Sequence, residues 1–596
     1  MANIHEEENL GKAYDSKLMK RLLSYAKPYW IYILICFLLL IIVTVSDIAR
    51  PYILKIAIDN YIKAGDIDGL SRVGLLFLGV ITISFVFNYI QVYILNYTSQ
   101  KIIFNIRQEI FSHLQKMSLS YFDKNPLGRL VTRVTNDTEA LNEMYTNVLV
   151  NLFKDIFLLI GIVITMLKMN YRLALFSLSV VPLILVASMI FRAKIRKVYR
   201  LVRVRLARIN STLNENITGM KTVHIFKKEN KKFKEFDHIN NDYLDATKQE
   251  IFVYAIFRPG IEIIRSLGIA MIVWIGGGDV ISGAIEFGVL YAFINYLQMF
   301  FEPILSLTEK YNILQAAMAS SERIFMILDK DEDIKNSQTP VQFKKSKGKI
   351  EFKNVWFAYE KENWVLRDVS FTINPGEAVA FVGATGAGKT SIISLINRFY
   401  DIQKGEILID DKNIKDIDKY ELRKHIGIVL QDVFLFTGSI KNNIRLNSEN
   451  ITDEEIIKVS EYVNAHSFID KLPNKYDEPV MERGSTLSSG QRQLLAFARA
   501  LAFNPDILVL DEATSNIDTE TESLIQDALL KLIKGRTTIA VAHRLSTIQH
   551  SDKIIVLHKG KVKEIGSHQE LLNKGGMYYD LYRLQYKEDF QDKVSL

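Results

Sequence analysis

The sequence predicts an α-helical membrane domain followed, on the same chain, by an α/β domain of the P-loop type. Three observations predict it. Six apolar segments occupy roughly 29–49, 73–95, 146–167, 172–191, 255–281 and 284–307, each long enough to cross a hydrocarbon core as a helix. Composition then shifts near residue 330 to a mixed α/β pattern. Beyond the shift, Gly383-Ala-Thr-Gly-Ala-Gly-Lys-Thr390 matches G-x-x-x-x-G-K-[ST], a loop whose backbone N–H groups cradle phosphates.

One such apolar segment could be a buried soluble helix, but six in one half of a chain make a membrane domain. At 596 residues the chain also exceeds one ordinary domain. The expected organisation is an N-terminal cytoplasmic segment over 1–28, a six-span domain over 29–328, a linker over 329–348 and a nucleotide-binding domain over 349–596. Orientation follows from basic residues. Arg192, Lys194, Arg196, Lys197, Arg200, Arg203, Arg205 and Arg208 fall in one stretch without an acid, and the 98–140 connection adds Lys101, Arg107, Lys116, Lys124, Arg129 and Arg133. The alternate connections, around 59–72, 168–172 and 276–286, are short and carry few. Positive charge collects on the cytoplasmic side, so both long connections and both termini are expected inside. The net charge of +7 follows from this arrangement and gives no reason to expect nucleic-acid binding. The first apolar run is too long for a cleavable signal and lacks a small-residue cleavage site. Cys36 is the single cysteine and lies in the first span, so intrachain disulfides and cysteine metal clusters are excluded.

The two long connections read as continuations of the spans. From Ser99 to Met117, and from Ala193 to Val223, apolar residues recur at helical spacing among charges. Short turns would close each pair, at Ser120-Tyr-Phe-Asp-Lys-Asn-Pro-Leu-Gly128 and near Gly219 to Asn230. A solvated amphipathic loop fits the same periodicity.

In the second half, the short apolar run Ala378-Val-Ala-Phe-Val382 reads as a buried strand, and Ser391 to Phe399 as a helix. This strand–loop–helix context suits the phosphate loop, because the helix N-terminus adds unpaired N–H groups and partial positive charge. Gly383, Ala384, Thr385, Gly386, Ala387, Gly388, Lys389, Thr390 and Ser391 are the candidate nucleotide-binding residues. Lys389 would supply charge to the β- and γ-phosphates and Thr390 a hydroxyl to Mg²⁺. Ile507-Leu-Val-Leu-Asp-Glu512 reads as a second apolar strand. Asp511 would face the metal, directly or through water, and Glu512 is the candidate general base for the attacking water. Tyr359, in Val355-Trp-Phe-Ala-Tyr359, is expected to stack on the adenine, with a core aromatic as the alternative.

About a hundred residues past the phosphate loop comes Leu487-Ser-Ser-Gly-Gln491, opening a helix over Arg492 to Phe503. The two motifs in this order resemble the ATP-binding cassette of ABC transporters. Tyr121-Phe-Asp-Lys-Asn-Pro-Leu-Gly-Arg-Leu-Val-Thr-Arg133 is similar to the first coupling-helix region of ABC exporters, and the similarity runs from about Lys17 to Tyr586. The resemblance implies a half-transporter that works as a dimer with an identical or homologous subunit in a bacterial plasma membrane, cassette inside, with ATP and Mg²⁺ as cofactors. It implies that Gln431, in Ile428-Val-Leu-Gln431, touches Mg²⁺ or water, and that His543, after Thr538-Ile-Ala-Val-Ala542, senses the γ-phosphate. It implies that Leu487, Ser488, Ser489, Gly490 and Gln491 complete the ATP site of the opposite subunit, and that Asp518 cross-links the two sites. In that reading the Ser488 hydroxyl and the Gly490 backbone form a second anion-binding site at a helix N-terminus. Two positions depart from the commonest pattern. Ser489 stands where a second glycine is usual, and Glu478-Pro-Val-Met-Glu-Arg-Gly484 lacks the usual Thr and Gly, though Glu482 is kept.

Charged residues inside spans are expensive and face a cavity or one another. Asp47 and Arg50 lie in the first span. Arg258, Glu262 and Arg265 follow at i, i+4, i+7 on the fifth, and Glu302 lies in the sixth beside Tyr291, Phe293, Tyr296, Phe300 and Phe301. Arg258, Glu262, Arg265, Tyr296 and Glu302 are the candidate substrate path, with helix-to-helix pairing the alternative. By resemblance the substrate is a hydrophobic or amphipathic compound, multidrug efflux being the default. A lipid flippase or peptide exporter would share every motif. An ATP-gated channel or regulatory subunit would tolerate loss of Glu512, which is present, and the spans exclude a soluble DNA-repair ATPase.

Overall fold

The computed structural model describes residues 15–332, 334–360, 362–511, 519–541 and 548–586. They form two compact units, one of residues up to 115 with 127–330, the other of 116–126 with 331 onward.

Asp15 opens the first unit by capping α1 (Ser16–Ala26), its carboxylate accepting from the Lys17 N–H at 2.7 Å. The spans follow as α2 (Trp30–Ile56) and α3 (Ile67–Lys116). Beyond α4 (Leu119–Lys124), which clusters with the second unit, come α5 (Leu127–Thr132), α6 (Thr138–Glu143), α7 (Asn151–Met169), α8 (Tyr171–Leu178) and α9 (Val181–Thr218). The last are α10 (Met220–Ile225), α11 (Glu229–Ile281) and α12 (Phe287–Leu328). Among the described residues, six helical stretches are long and apolar enough to cross a membrane, so the chain is a multi-pass membrane protein. At 1.5 Å per residue, the 50-residue α3 and 53-residue α11 run to about 75–80 Å. That is more than twice a ~30 Å hydrocarbon core, so the helices continue well beyond the apolar spans, as the periodicity predicts.

Two details differ from expectation. The fourth span is broken between Leu178 and Val181, because Pro182 in the first turn of α9 has no N–H to continue the ladder. The expected turns between the paired extensions are not plain turns. Each contains a six-residue helix, α4 and α10.

Burial separates the spans. The apolar window of α12 is 65% buried within the chain, against 28% or less for the other five. Phe293, Leu297, Phe301 and Ile304 of α12 centre a cluster with Ile162, Leu173, Ile184 and Ile272. The outer helices leave large apolar side chains exposed, among them Leu75, Phe85, Tyr93 and Trp274, a surface that suits lipid.

The second unit holds a four-stranded antiparallel sheet in the order β2-β1-β4-β5, from β1 (Ile350–Ala358), β2 (Trp364–Ile373), β4 (Lys404–Ile409) and β5 (Lys412–Asn413). A six-stranded sheet runs β12-β11-β3-β10-β9-β6, from β3 (Ala378–Val382), β6 (Ile426–Val429), β9 (Ile507–Asp511), β10 (Thr537–Val541), β11 (Lys553–His558) and β12 (Lys561–Gly566). Strands β6, β9, β10, β3 and β11 are mutually parallel and β12 is antiparallel, while β7 (Gly438–Ser439) and β8 (Pro479–Val480) pair separately as a two-stranded sheet. Every residue of β3 and β10 is buried, as unbroken apolar strands covered on both faces should be. Residues of the expected linker pack here too: Phe343 is buried in the core and the Val341 N–H donates to the Asp416 carbonyl at 2.9 Å.

Candidate nucleotide site

The phosphate loop leaves β3 at Val382 and enters the helix α13 (Lys389–Ile396). Its glycines are required by geometry. A Cβ on Gly383 would lie 2.3 Å from the Leu557 carbonyl oxygen. Gly388 has φ 103°, and a Cβ there would lie 2.6 Å from Leu366 Cδ2. Ala384, Thr385 and Gly386 form the exposed crest, while Ala387 is buried beneath it. Lys389 is buried, and its Nζ donates to the Gly383 carbonyl at 2.6 Å and the Ala384 carbonyl at 3.3 Å. Burial pushes its pKa below the usual lysine value, and the charge of Asp511 pulls the other way. Thr390 is exposed at the mouth of the loop, and Ser391 is buried one residue further on.

Parallel pairing brings the other groups to the same edge. Val541 of β10 registers with Phe381 of β3 and with Asp511 of β9, and Leu510 registers with Val429 of β6. The phosphate loop, Asp511 and exposed Gln431 therefore leave neighbouring strands at their carboxyl ends, where open α/β sheets bind ligands. Glu512, Asp518 and His543 lie outside the described residues.

Tyr359 follows the end of β1 and is 42% exposed, which sets it apart from Phe357, a core residue two positions earlier. Its hydroxyl is 3.0 Å from Ser391 Oγ, so an exposed aromatic ring is tied to the first turn of α13.

The second motif opens the helix α18 (Ser489–Ala502), which precedes β9; α14 to α17 fill the interval as Lys419–Lys424, Ile440–Arg445, Asp453–Tyr462 and His466–Ile469. Ser488 is the N-cap. Its Oγ accepts from the Gln491 N–H at 3.2 Å, and the Gln491 side-chain oxygen accepts from the Ser488 N–H at 3.0 Å. This reciprocal capping box adds a structural duty that the sequence reading did not assign. The S-x-x-Q spacing of Ser488 and Gln491 was its visible signal. Ser488 and Ser489 are exposed, while Leu487 and Gly490 are buried and anchor the turn. Helix α18 packs into a core cluster with Leu435, Ile444 and Val463, apart from the cluster that holds α13.

The membrane-domain candidates do not form one site. Arg258 and Glu262 line a groove on α11 with Ile263, Ser266 and Leu267, and Arg265 is ion-paired to Glu262. Glu302 is exposed. Tyr296 is fully buried and donates its hydroxyl to the Ile48 carbonyl at 2.7 Å, so it lines no open path. Phe293, Phe300 and Phe301 are buried with it, and the aromatic richness of this span is helix packing. Asp47 pairs with Arg50 at 3.1 Å, and Arg50 also donates to Ser84 Oγ at 2.8 Å, joining α2 to α3.

Comparison with known proteins covers both units. Residues 33–304 match the family described as ABC transporter transmembrane region, and residues 366–515 the family described as ABC transporter. An uncharacterised ABC transporter ATP-binding protein of Bacillus subtilis is 40% identical over 97% of this chain and 96% of its own length. A second Bacillus subtilis protein, named "Probable multidrug resistance ABC transporter ATP-binding/permease protein", is 41% identical over 87% of this chain and 77% of its own. An "ATP-dependent lipid A-core flippase" of Syntrophus aciditrophicus is 36% identical over 96% of this chain and 95% of its own.

Proposed function

This chain belongs to the ABC transporter family, an ATPase-coupled transporter with a transmembrane region and a cassette on one polypeptide, and we propose that it is one half of a dimeric exporter of hydrophobic or amphipathic compounds. The observation that carries the dimer is the position of the signature helix. Helix α18 packs in a different core cluster from the phosphate loop's helix and Ser488 at its start is exposed, which supports a signature that serves the nucleotide of another subunit. The membrane is a bacterial plasma membrane, with the domains divided at 29–328 and 349–596 and the cassette inside.

In this reading the loop from Gly383 to Ser391 wraps the phosphates, and Lys389 exchanges its two loop carbonyls for phosphate oxygens. The donor set at the strand ends fits a hard divalent cation: an exposed hydroxyl on Thr390, the Asp511 carboxylate and the Gln431 amide. Mg²⁺, when bound there, neutralises phosphate charge. Glu512 accepts the proton of the attacking water, His543 reads the γ-phosphate, and Tyr359 supports the base.

A mixed dimer tests the arrangement. Pairing a Ser488→Arg subunit with a Lys389→Ala subunit places both lesions in one ATP site if the signature acts across the interface, leaving the other site intact. Single-site nucleotide trapping in the mixed dimer, absent from either homodimer, is the expected result. Loss at both sites means that the signature acts within its own subunit.

Substrate class rests on relatives named for multidrug resistance and for lipid A-core flipping. Multidrug efflux is the first reading, and within it the exposed carboxylate of Glu302 suits a cationic amphiphile better than a neutral one. Glu302→Gln removes that charge at nearly constant volume. It should lower stimulation of ATPase by cationic compounds several-fold while leaving neutral compounds and basal turnover in place. Equal stimulation by both classes, before and after, would make Glu302 structural. Headgroup-labelled lipid translocation in vesicles, without drug stimulation, would favour the flippase.

A further inference from the structure

The ring assigned to the adenine has a mount that begins outside the phosphate loop. Helix α4, which lies between the second and third spans in sequence, belongs to the cassette unit, and its exposed Asp123 accepts a hydrogen bond from the Tyr400 hydroxyl. The Tyr400 ring meets Tyr359 edge-on, with centroids 5.0 Å apart and an interplanar angle of 90°. Tyr359 is in turn bonded to Ser391 on α13 at 3.0 Å. Four residues thus connect α4 to the helix that opens at the phosphates, through the aromatic assigned to the adenine.

The support beneath Tyr400 is rigid. Arg398 sits at φ 48°, in the left-handed region, with its guanidinium almost fully buried and donating to the Ile417 carbonyl at 2.9 Å. The carbonyls of Asn397 and Arg398 both accept from Arg423, at 3.1 and 2.9 Å. A non-glycine residue holds such a conformation only where its surroundings over-determine it. Gln403, three residues past Tyr400, clamps the peptide that precedes Tyr359. Its side-chain oxygen accepts from the Ala358 N–H at 3.0 Å, and its side-chain NH₂ donates to the Ala358 carbonyl at 2.9 Å. The segment 398–403 therefore holds Tyr359 by both ring and backbone. Burial, together with the bond to Asp123, raises the Tyr400 pKa above the ordinary phenol value, so the hydroxyl stays protonated as the donor.

We infer that Tyr400 and Asp123 are positioning residues for the nucleobase: through them, α4 sets where Tyr359 stands and so how tightly ATP is held. The inference rests on the adenine reading of Tyr359. It predicts an effect centred on the base, because the chain Asp123–Tyr400–Tyr359 meets α13 at the Ser391 hydroxyl and not at the Gly383 and Ala384 carbonyls that hold Lys389.

The test uses the full-length protein in lipid, with inorganic tripolyphosphate as a competitor that engages the phosphate loop without a base. Tyr400→Phe keeps the ring and loses the bond to Asp123, and Asp123→Ala loses it from the other side. Each should raise KM for ATP about three- to tenfold, the scale of a partly exposed hydrogen bond to a charged group, with kcat held within about twofold. The inhibition constant of tripolyphosphate should not move. Asp123→Asn, whose amide oxygen can still accept from Tyr400, should retain most of the wild-type KM. The Asp123→Ala/Tyr400→Phe double variant should be no worse than the poorer single one, because both remove the same bond. An unmoved KM in both single variants overturns the positioning role, as does a tripolyphosphate constant that rises in parallel with KM. Wild-type turnover that tripolyphosphate does not inhibit would overturn the nucleotide reading beneath it.

Discussion

Glu512→Gln is expected to keep ATP binding while cutting steady-state hydrolysis by roughly 10²–10⁴-fold, the range a positioned general base contributes. The amide preserves size and hydrogen-bonding shape but cannot take the proton of the attacking water. In sequence Glu512 follows Asp511, which is the last residue of β9, a strand registered with β10 and β6. Asp511 is itself close enough to act on the charge of Lys389. A binding-competent, hydrolysis-deficient dimer should trap nucleotide for far longer than wild type. Measured by ATPase rate and by retention of labelled ATP, the variant should separate the two steps cleanly. Near-normal turnover would remove Glu512 from the base role. It would also revive the idea of cassettes used as a regulatory switch, for which an intact catalytic carboxylate is unnecessary.

The parts of this molecule legible in the sequence are those whose physics is local. A run of apolar residues long enough for a bilayer must be a span, and the glycines of 383–388 announce their loop by spacing alone, although the close approaches that require Gly383 and Gly388 come from Leu557 and Leu366, distant in sequence. The break before α9 was equally open to view, since Pro182 cannot donate, yet hydropathy alone reads 172–191 as continuous. Other features escaped because they depend on partners distant in sequence. Asp123 and Tyr400 are 277 residues apart, and Gln403 reaches Ala358 across 45. No periodicity reports such pairs. Tyr296 shows a different failure. On a helix apolar all round, spacing cannot tell a face packed against other helices from one that lines a cavity, so an aromatic bonded to the Ile48 carbonyl looks the same as one awaiting substrate. Ser488 shows a third. The motif drew attention to a ligand, and the capping role of the same hydroxyl, written in its spacing to Gln491, went unread.

Lys389→Ala should differ from the Glu512 variant by losing binding and hydrolysis together. The ammonium is buried at the base of the loop and held by two backbone carbonyls, so the protein has already paid to desolvate a charge there. Triphosphate gives that charge a better set of partners, both in the ground state and as charge shifts during transfer. Removing the side chain leaves the Gly383 and Ala384 carbonyls facing the phosphates with no cation between them. Because the interaction serves the bound and reacting states alike, KM and kcat should both suffer, and kcat/KM should fall by about 10³-fold or more. The fold should survive. The core contacts of α13 come from Ile392, Ile393, Leu395 and Ile396, none of which the substitution touches. Labelled-nucleotide binding to the purified variant in lipid, alongside its ATPase rate, checks the expectation, with an unchanged thermal midpoint in the absence of nucleotide as the control. Retained affinity with lost turnover would confine Lys389 to the chemical step. Retention of both would leave the phosphates held by the backbone of the loop alone.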